Sequence, residues 1–359
     1  MRYARAAGSN DYRMSMHLIL VAPGLLALPP QALAAARSLA TLAQLAARPR
    51  VHPRGLRAAL IDALGAPADT PVAPLAALGA GVVPADDYVA VADPVLLAAD
   101  RDDLVLVQRI DDLGADESNQ LISLLNRHFD GDDLSFVPAR PDAWFVRCVR
   151  APGIETTPFD VARGKGVFPY QPGGPAGGTW RRWQNEIGML LHEHPVNVAR
   201  QAAGRLPVTG IWFWGGGRLA DVAPLAATNV TAVSGSLGDL ARGMAHYAGG
   251  TAHRAEGDDT AQSVIERAAP RDPNGMVAPT VAVVVLAPMA EESDAGALES
   301  AWLAPALALM SSHRLETLSL LADGNGTAAQ WTVTRPTLWR RLVAGTQRGR
   351  FAVPAPVES

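Results

Sequence analysis

The chain has a single cysteine, Cys148. One thiol excludes an internal disulfide and any metal site built from clustered cysteines. Its surroundings, Phe145-Val146-Arg147-Cys148-Val149, read as a strand, so the thiol is expected to be buried or half-buried, with no base beside it. An excess of one charge is also missing. Thirty-one Lys and Arg stand against 35 Asp and Glu, a formal net charge of -4. That balance leaves no electrostatic footprint for nucleic acid. No stretch reaches the roughly 18 uninterrupted apolar residues of a membrane span, so no membrane partner is expected. Internal repeats are absent too. What is present is an ordinary apolar fraction, 48% of 359 residues. That length suits two domains and a core that needs no covalent staples.

Met1 to Ala36 imitates a secretory leader, with basic residues, an apolar Leu18–Leu28 and an apparent Ala32-Leu33-Ala34 cleavage site. Asp11 and Arg13 lengthen the polar part, and Pro23-Gly24 interrupts the apolar run. The favoured reading is a buried strand over His17–Ala22, a turn, and an Ala/Leu helix from Pro30 to Ala47. Residues 1–15 are then a loose tail, and Met14 or Met16 is a candidate start. This reading implies a cytoplasmic protein.

Short helices are predicted at Leu56–Leu64 and Val72–Leu78. Asp86–Val91 and Asp103–Val107 read as strands, with Ala92-Asp93-Pro94-Val95 as the turn between them. Leu121, Leu124, Leu125 and Phe129 form one helical stripe in Asp116–Phe129. Strands follow at Leu134–Val137 and Trp144–Val149. Residues 151–179 read as either a mobile lid or a linker. Trp180–Ala203 is the clearest long helix, with Pro195 kinking or ending it. Pro207–Phe213, Thr228–Val233, Val277–Leu286, Arg314–Leu321 and Gln330–Thr334 read as strands, and Leu237–Tyr247 and Ala297–Met310 as helices. Alternating strands and helices at both ends imply an α/β layer fold with a mostly parallel sheet. The ββαββ order over 83–150 implies a smaller inserted α+β domain. The expected division is a core from 16–82 and 205–345, an insert at 83–180, a connecting helix at 181–204 and a tail at 346–359.

The densest polar cluster is His192-Glu193-His194-Pro195-Val196-Asn197-x-x-Arg200. On a helix His192 and His194 point about 200° apart and cannot chelate one metal. Asn197 and Arg200, three apart, share a face. They read either as locally satisfied groups at a kinked helix end or as holders of an anion. Gly215-Gly216-Gly217 follows a strand carrying Trp212 and Trp214. It reads either as a tight turn or as a backbone cradle for phosphate. It does not complete Gly-x-Gly-x-x-Gly and has no Gly-Lys-Ser/Thr. Ser234-Gly235-Ser236 lacks the Gly-x-Ser-x-Gly elbow. Asp258-Asp259 and Glu291-Glu292-x-Asp294 read as solvated loops. Trp339-Arg340-Arg341 is a weak basic helix end.

The order of these motifs resembles a known family. Asn185-Glu186-Ile187-x-Met189-x-x-His192-x-His194-Pro195-Val196-Asn197-x-x-Arg200, then Gly204-Arg205-x-Pro207, then Ile211-Trp212-Phe213-Trp214-Gly215-Gly216-Gly217, is similar to the RpfE-type regulatory proteins of bacteria. These in turn resemble the archaeal-type cofactor-independent phosphoglycerate mutases of the alkaline phosphatase superfamily. The resemblance implies an alkaline-phosphatase-like core and a site for two divalent metals, Mn or Mg. It implies a metal-ligating Asp after the first strand and an Asp and a His after the late buried strand. Here those exits read Ala22-Pro23-Gly24 and Ala287-Pro288-Met289-Ala290. Hard cations need oxygen ligands that these residues do not supply. The family's insert also uses arginines for substrate; Arg101 and Arg109 fall in that neighbourhood, although the local pattern is not matched. The expectation is a degenerate, metal-free scaffold without bound cofactor, regulatory or ligand-binding in role. Its partner would be a phosphorylated metabolite or another protein. The candidate ligand-binding residues are Asn197, Arg200, Arg205, Gly215, Gly216 and Gly217. Two alternatives stand beside it. One is an active phosphomutase or phosphatase with ligands relocated to Asp258, Asp259, Asp294 or His192, His194, His246 and His253. The other is a metal-free binder of a phosphorylated small molecule.

Overall fold

A computed structural model describes residues 16–46, 48–84, 86–100, 103–233, 235–268, 280–324 and 327–335. Both expected tails, Met14, Arg101, Ser234 and Trp339-Arg340-Arg341 lie outside them. The chain divides into two compact units with separate apolar cores. The first takes residues up to Leu56, then Thr228–Val233, then those from Arg254 on; the second takes Arg57–Ala227 and Ser234–His253.

In the first unit β1 (Met16–Ala22) lies between β10 (Thr280–Val285) and β11 (Thr317–Gly324), parallel to both. β8 (Asn229–Ala232) continues the parallel sheet beyond β10. β12 (Thr327–Thr334) turns back antiparallel on β11, and β2 (Arg50–His52) pairs with β12. With β9 (Thr251–Arg254) the order is β2-β12-β11-β1-β10-β8-β9. Leu18 to Ala22 are all 0% exposed. A strand covered on both faces shows a continuous apolar run rather than alternation, which is why β1 imitates a leader sequence. One sheet face packs on α1 (Pro30–Ala35), α2 (Arg37–Leu45), α10 (Ala261–Ala268), α11 (Glu292–Ala297) and α12 (Ala304–Ser311). The expected single helix over Pro30–Ala47 breaks at Ala36, whose ψ of 84° is not helical. The expected helix over Ala297–Met310 begins five residues earlier, at Glu292, and passes through a wide turn at Leu298–Leu303.

His17 points from β1 to Ser319, its Nε2 lying 2.9 Å from the hydroxyl. Burial lowers the His17 pKa below its usual 6.5. The unfolded chain therefore takes up this proton more readily than the folded one. The group's contribution is complete above the unfolded value and is lost as pH falls below it. Replacing His17 with glutamine should flatten the loss of stability between about pH 7 and pH 5. Urea midpoints across that range test this; equal slopes for both proteins would refute it.

In the second unit β3 (Tyr88–Asp100) is central. It pairs antiparallel with β4 (Asp103–Arg109), β6 (Ala143–Cys148) and β7 (Gly210–Gly217), and β5 (Ser135–Arg140) extends β6. The turn expected at Ala92–Val95 is instead mid-strand. Proline cannot donate to a ladder. Pairing with β6 ends at Val91 and pairing with β4 begins at Val95, so Pro94 falls in the gap between the two neighbours. β7 belongs with this sheet, and residues 57–82, 205–227 and 234–253, all expected in the core, fall in the second unit. α5 (Ala115–His128) buries Leu121, Ile122 and Leu125, with Phe129 buried just beyond its end. The expected stripe holds at Leu121, Leu125 and Phe129, but Leu124 is only half-buried and Ile122 joins the buried face instead. The expected helix over Trp180–Ala203 is two helices, α7 (Gly177–His192) and α8 (Pro195–Ala202). Pro195 occupies the first position of α8, where a missing N–H costs nothing. α3 (Gly55–Ala63) and α4 (Val72–Gly79) precede the sheet in sequence, α6 (Phe159–Ala162) follows β6, and α9 (Ser236–Tyr247) packs against α4. Cys148 is buried, and burial first, then the charges of Asp133 and Asp87, push its thiol up to about 12. Among the described residues no helix is long and apolar enough to cross a membrane.

Candidate functional site

In open α/β sheets, ligands sit beyond the carboxyl ends of the parallel strands. Here β1 leaves through Ala22-Pro23-Gly24, and β10 leaves toward Ala287-Pro288-Met289. The two exits are tied to each other. Met289 N donates to Pro23 O at 2.8 Å. Gly24 has φ +79°, and a Cβ there would overlap Met289 O, so only glycine allows this approach. Gly24 N donates to Asp323 Oδ1 at 2.7 Å, from the end of β11. Gly324, next along, lies hard against Leu26 and Ala27. Backbone therefore packs closely where these strand exits meet.

Asp323 is a carboxylate at this edge that the sequence reading missed. Its signal was present in Ala322-Asp323-Gly324, a strand end followed by glycine, but its neighbour Gly24 is 299 residues away. Asp294 is used locally: Ala290 N and Glu291 N both donate to its Oδ2 at 2.8 Å. These backbone bonds hold its carboxyl below the usual range. Asp259 accepts from Arg267 Nη2 at 2.5 Å and from Glu256 N at 2.9 Å. Among the described residues, no three His, Cys, Asp or Glu side chains are grouped to hold a metal ion. The donors at these strand exits do not fit a divalent metal pair.

The second unit brings Asn197, Arg200 and Arg205 together. Asn197 Nδ2 donates to Leu191 O and Val208 O, both at 2.7 Å, and its Oδ1 accepts from Val208 N at 2.9 Å. Its amide thus ties the end of α7 and the approach to β7 to α8. The Arg200 side chain is 0% exposed. Its Nε donates to Leu206 O at 2.7 Å, Nη1 to Glu117 Oε2 at 2.9 Å, and Nη2 to Asp112. Arg205 reaches the same two carboxylates, with Nε 3.0 Å from Asp112 Oδ2 and Nη1 2.9 Å from Glu117 Oε1. Burial acts to raise the pKa of Asp112 and Glu117, but the hydrogen bonds and charges facing them outweigh it. Both carboxyls end below their ordinary range. Two cations and two anions close on each other, and this box pins α8 and the following loop to the start of α5.

The three glycines lie at the far end of β7, about 23 Å from Val208 at 3.3 Å per residue. Side chains at Gly215, Gly216 and Gly217 would overlap or crowd Val72, the Tyr88 hydroxyl and Pro71 respectively. Their bareness makes room for neighbouring side chains. Arg200 and Arg205 share one network, Asn197 is bonded separately to the backbone of Leu191 and Val208, and the glycines stand apart from both. His194 lies outside the helices as the cap of α8, its Nδ1 accepting from Val196 N at 3.3 Å.

The fold is a mixed α/β architecture with a mostly parallel sheet. A solved protein from Pyrococcus horikoshii shares this fold, with a TM-score of 0.53 and 14% identity over 90% of this chain and 88% of that one. No family model matches the chain. The chain is homologous over part of its length to cofactor-independent phosphoglycerate mutases of archaeal type. It is 32% identical over 187 residues to the 2,3-bisphosphoglycerate-independent phosphoglycerate mutase of Methanosarcina barkeri, covering 49% of this chain and 45% of that protein. The Methanosarcina mazei protein of the same name is 28% identical over 107 residues, covering 29% and 27%. The chain thus matches less than half the length of these curated relatives.

Proposed function

We propose that this chain is a non-catalytic regulatory or binding protein of the RpfE type, built on a phosphoglycerate-mutase-like scaffold and acting in the bacterial cytoplasm without a metal. One observation carries this reading. The exits of β1 and β10 are closed on each other by the Met289 N to Pro23 O hydrogen bond, 2.8 Å long. Among the described residues the one carboxylate that meets them, Asp323, belongs to no group of three or more His, Cys, Asp or Glu able to hold a metal. Divalent cations that move phosphoryl groups need several such donors converging. Residue type and backbone geometry at these exits both support a degenerate scaffold. The partner is a phosphorylated metabolite or another protein.

The test is elemental analysis for Mn, Mg and Zn on protein purified without chelator, with mutase and phosphatase assays with and without added Mn. The expected result is metal far below stoichiometric and no turnover in either assay. Two equivalents of metal with chelator-sensitive turnover would overturn the proposal. The chain would then be an active metal-dependent phosphomutase or phosphatase with relocated ligands, a reading that the 32% identity to the named mutase favours. Thermal stabilisation by a phosphorylated metabolite, without metal or turnover, would identify the partner as a small molecule.

A further inference from the structure

Residues 157–170 join the strand region around β6 to α7 with little regular structure, only α6 and a single turn at Phe168–Tyr170. They are nonetheless fastened along β4. Gly164 N donates to Leu106 O at 2.8 Å, Leu106 N to Lys165 O at 3.1 Å, and Val167 N to Leu104 O at 2.8 Å. Phe159, Ala162 and Val167 are buried in the same apolar cluster as Leu106, Trp212 and Trp214. Trp212 Nε1 donates to Thr157 O at 2.8 Å.

An unusual charged platform belongs to this cluster. The Asp93 side chain is 5% exposed and accepts from Trp214 Nε1 at 2.6 Å. Its nearest cation is Arg109, whose Nη1 is 3.9 Å away, beyond a good hydrogen bond. Arg57, on α3, touches both platform and segment. Its guanidinium lies 4.3 Å above the Trp214 ring, and its Nη1 donates to Asp160 Oδ2 at 3.0 Å. Asp160 is 58% exposed, so this is the bond solvent can reach first.

We propose that residues 157–170 form a strap latched by Arg57, and that its release uncovers the Asp93–Trp214 platform with Arg109. The latch adds a cation–π contact and one partly exposed ion pair to the backbone bonds and the buried Phe159, Ala162 and Val167 that also hold the strap. Removing it therefore raises the population of the open strap without by itself freeing the segment. The backbone bonds to β4 give the strap a defined closed position. This inference is independent of whether the first unit is catalytic.

Limited trypsin digestion of the full chain tests it. Arg163 and Lys165 are exposed cleavage sites inside the strap, and cutting a folded segment reports its local opening. Arg57→Gln should speed cleavage there about tenfold, and Asp160→Asn two- to fivefold. In Asp160→Asn the urea midpoint should fall only by what the same two- to fivefold factor implies, and the emission of the native protein should stay at the wild-type wavelength. Unchanged strap cleavage in Asp160→Asn would overturn the proposal. So would strap fragments that appear only together with cuts throughout the second unit. Asp160→Asn keeps the test decisive if Arg57→Gln fails to fold.

Discussion

Gly243→Val is expected to unfold the second unit at room temperature. Gly79 on α4 and Gly243 on α9 meet at the crossing of the two helices. A Cβ on Gly243 would overlap the Leu75 carbonyl oxygen, lie 2.6 Å from its carbon and sit 3.1 Å from Gly79 N. All three are backbone atoms, so no side chain can rotate away. Overpacking a core costs about 1–3 kcal/mol when side chains can adjust. Here the helices themselves must separate, so alanine should cost at least about 3 kcal/mol and valine more. Folded domains hold only about 5–15 kcal/mol in total. Tryptophan fluorescence in urea reads the effect, because Trp144, Trp180, Trp183, Trp212 and Trp214 all lie in this unit. An unchanged midpoint in Gly243→Ala would show that the two helices can separate at the crossing at little cost.

Arg200→Met should cost about 3 kcal/mol, the lower end of the range for breaking a buried ion pair. The lower end applies because Asp112 and Glu117 keep Arg205, and because the Asp112 side chain is 52% exposed while that of Arg200 is fully covered. The loss also depends on pH. Both carboxyls have lowered folded pKa values. Their contribution is present above the unfolded carboxylate values near 4 and disappears as pH falls through the folded values. The gap between wild type and Arg200→Met should therefore be wide at neutral pH and should narrow below about pH 4. A double-mutant cycle with Glu117→Gln isolates the pair. An anion-binding Arg200 would behave differently: the variant would lose phosphate affinity and keep its stability.

Several features were legible because their physics is local. Leu121 and Leu125 sit one turn apart and define a buried face whatever they pack against. His17 to Ala22 is a buried strand because no alternating or helical pattern fits it. Pro195 marks the start of α8 because its ring forbids the preceding bond in a helix interior. Other features were illegible because their partners are far away in sequence. Asp93-Pro94 has the composition of a turn, and it becomes mid-strand through the staggered ends of β4 and β6. The triple glycine has the composition of a phosphate loop, and Tyr88, Pro71 and Val72 explain it. Arg200 has the look of a ligand-binding cation, and Glu117 and Asp112, more than 80 residues away, take its donors.

Residue type and spacing alone establish the layered α/β class and the strand that carries the lone thiol. These are properties of residues and of their neighbours within a few turns. Which unit β7 joins, how Gly24 closes on Met289 and Asp323, and what Arg57 latches are settled by contacts between distant segments. Such contacts depend on shape and register, and a one-dimensional pattern of apolar and polar residues does not encode which partner arrives.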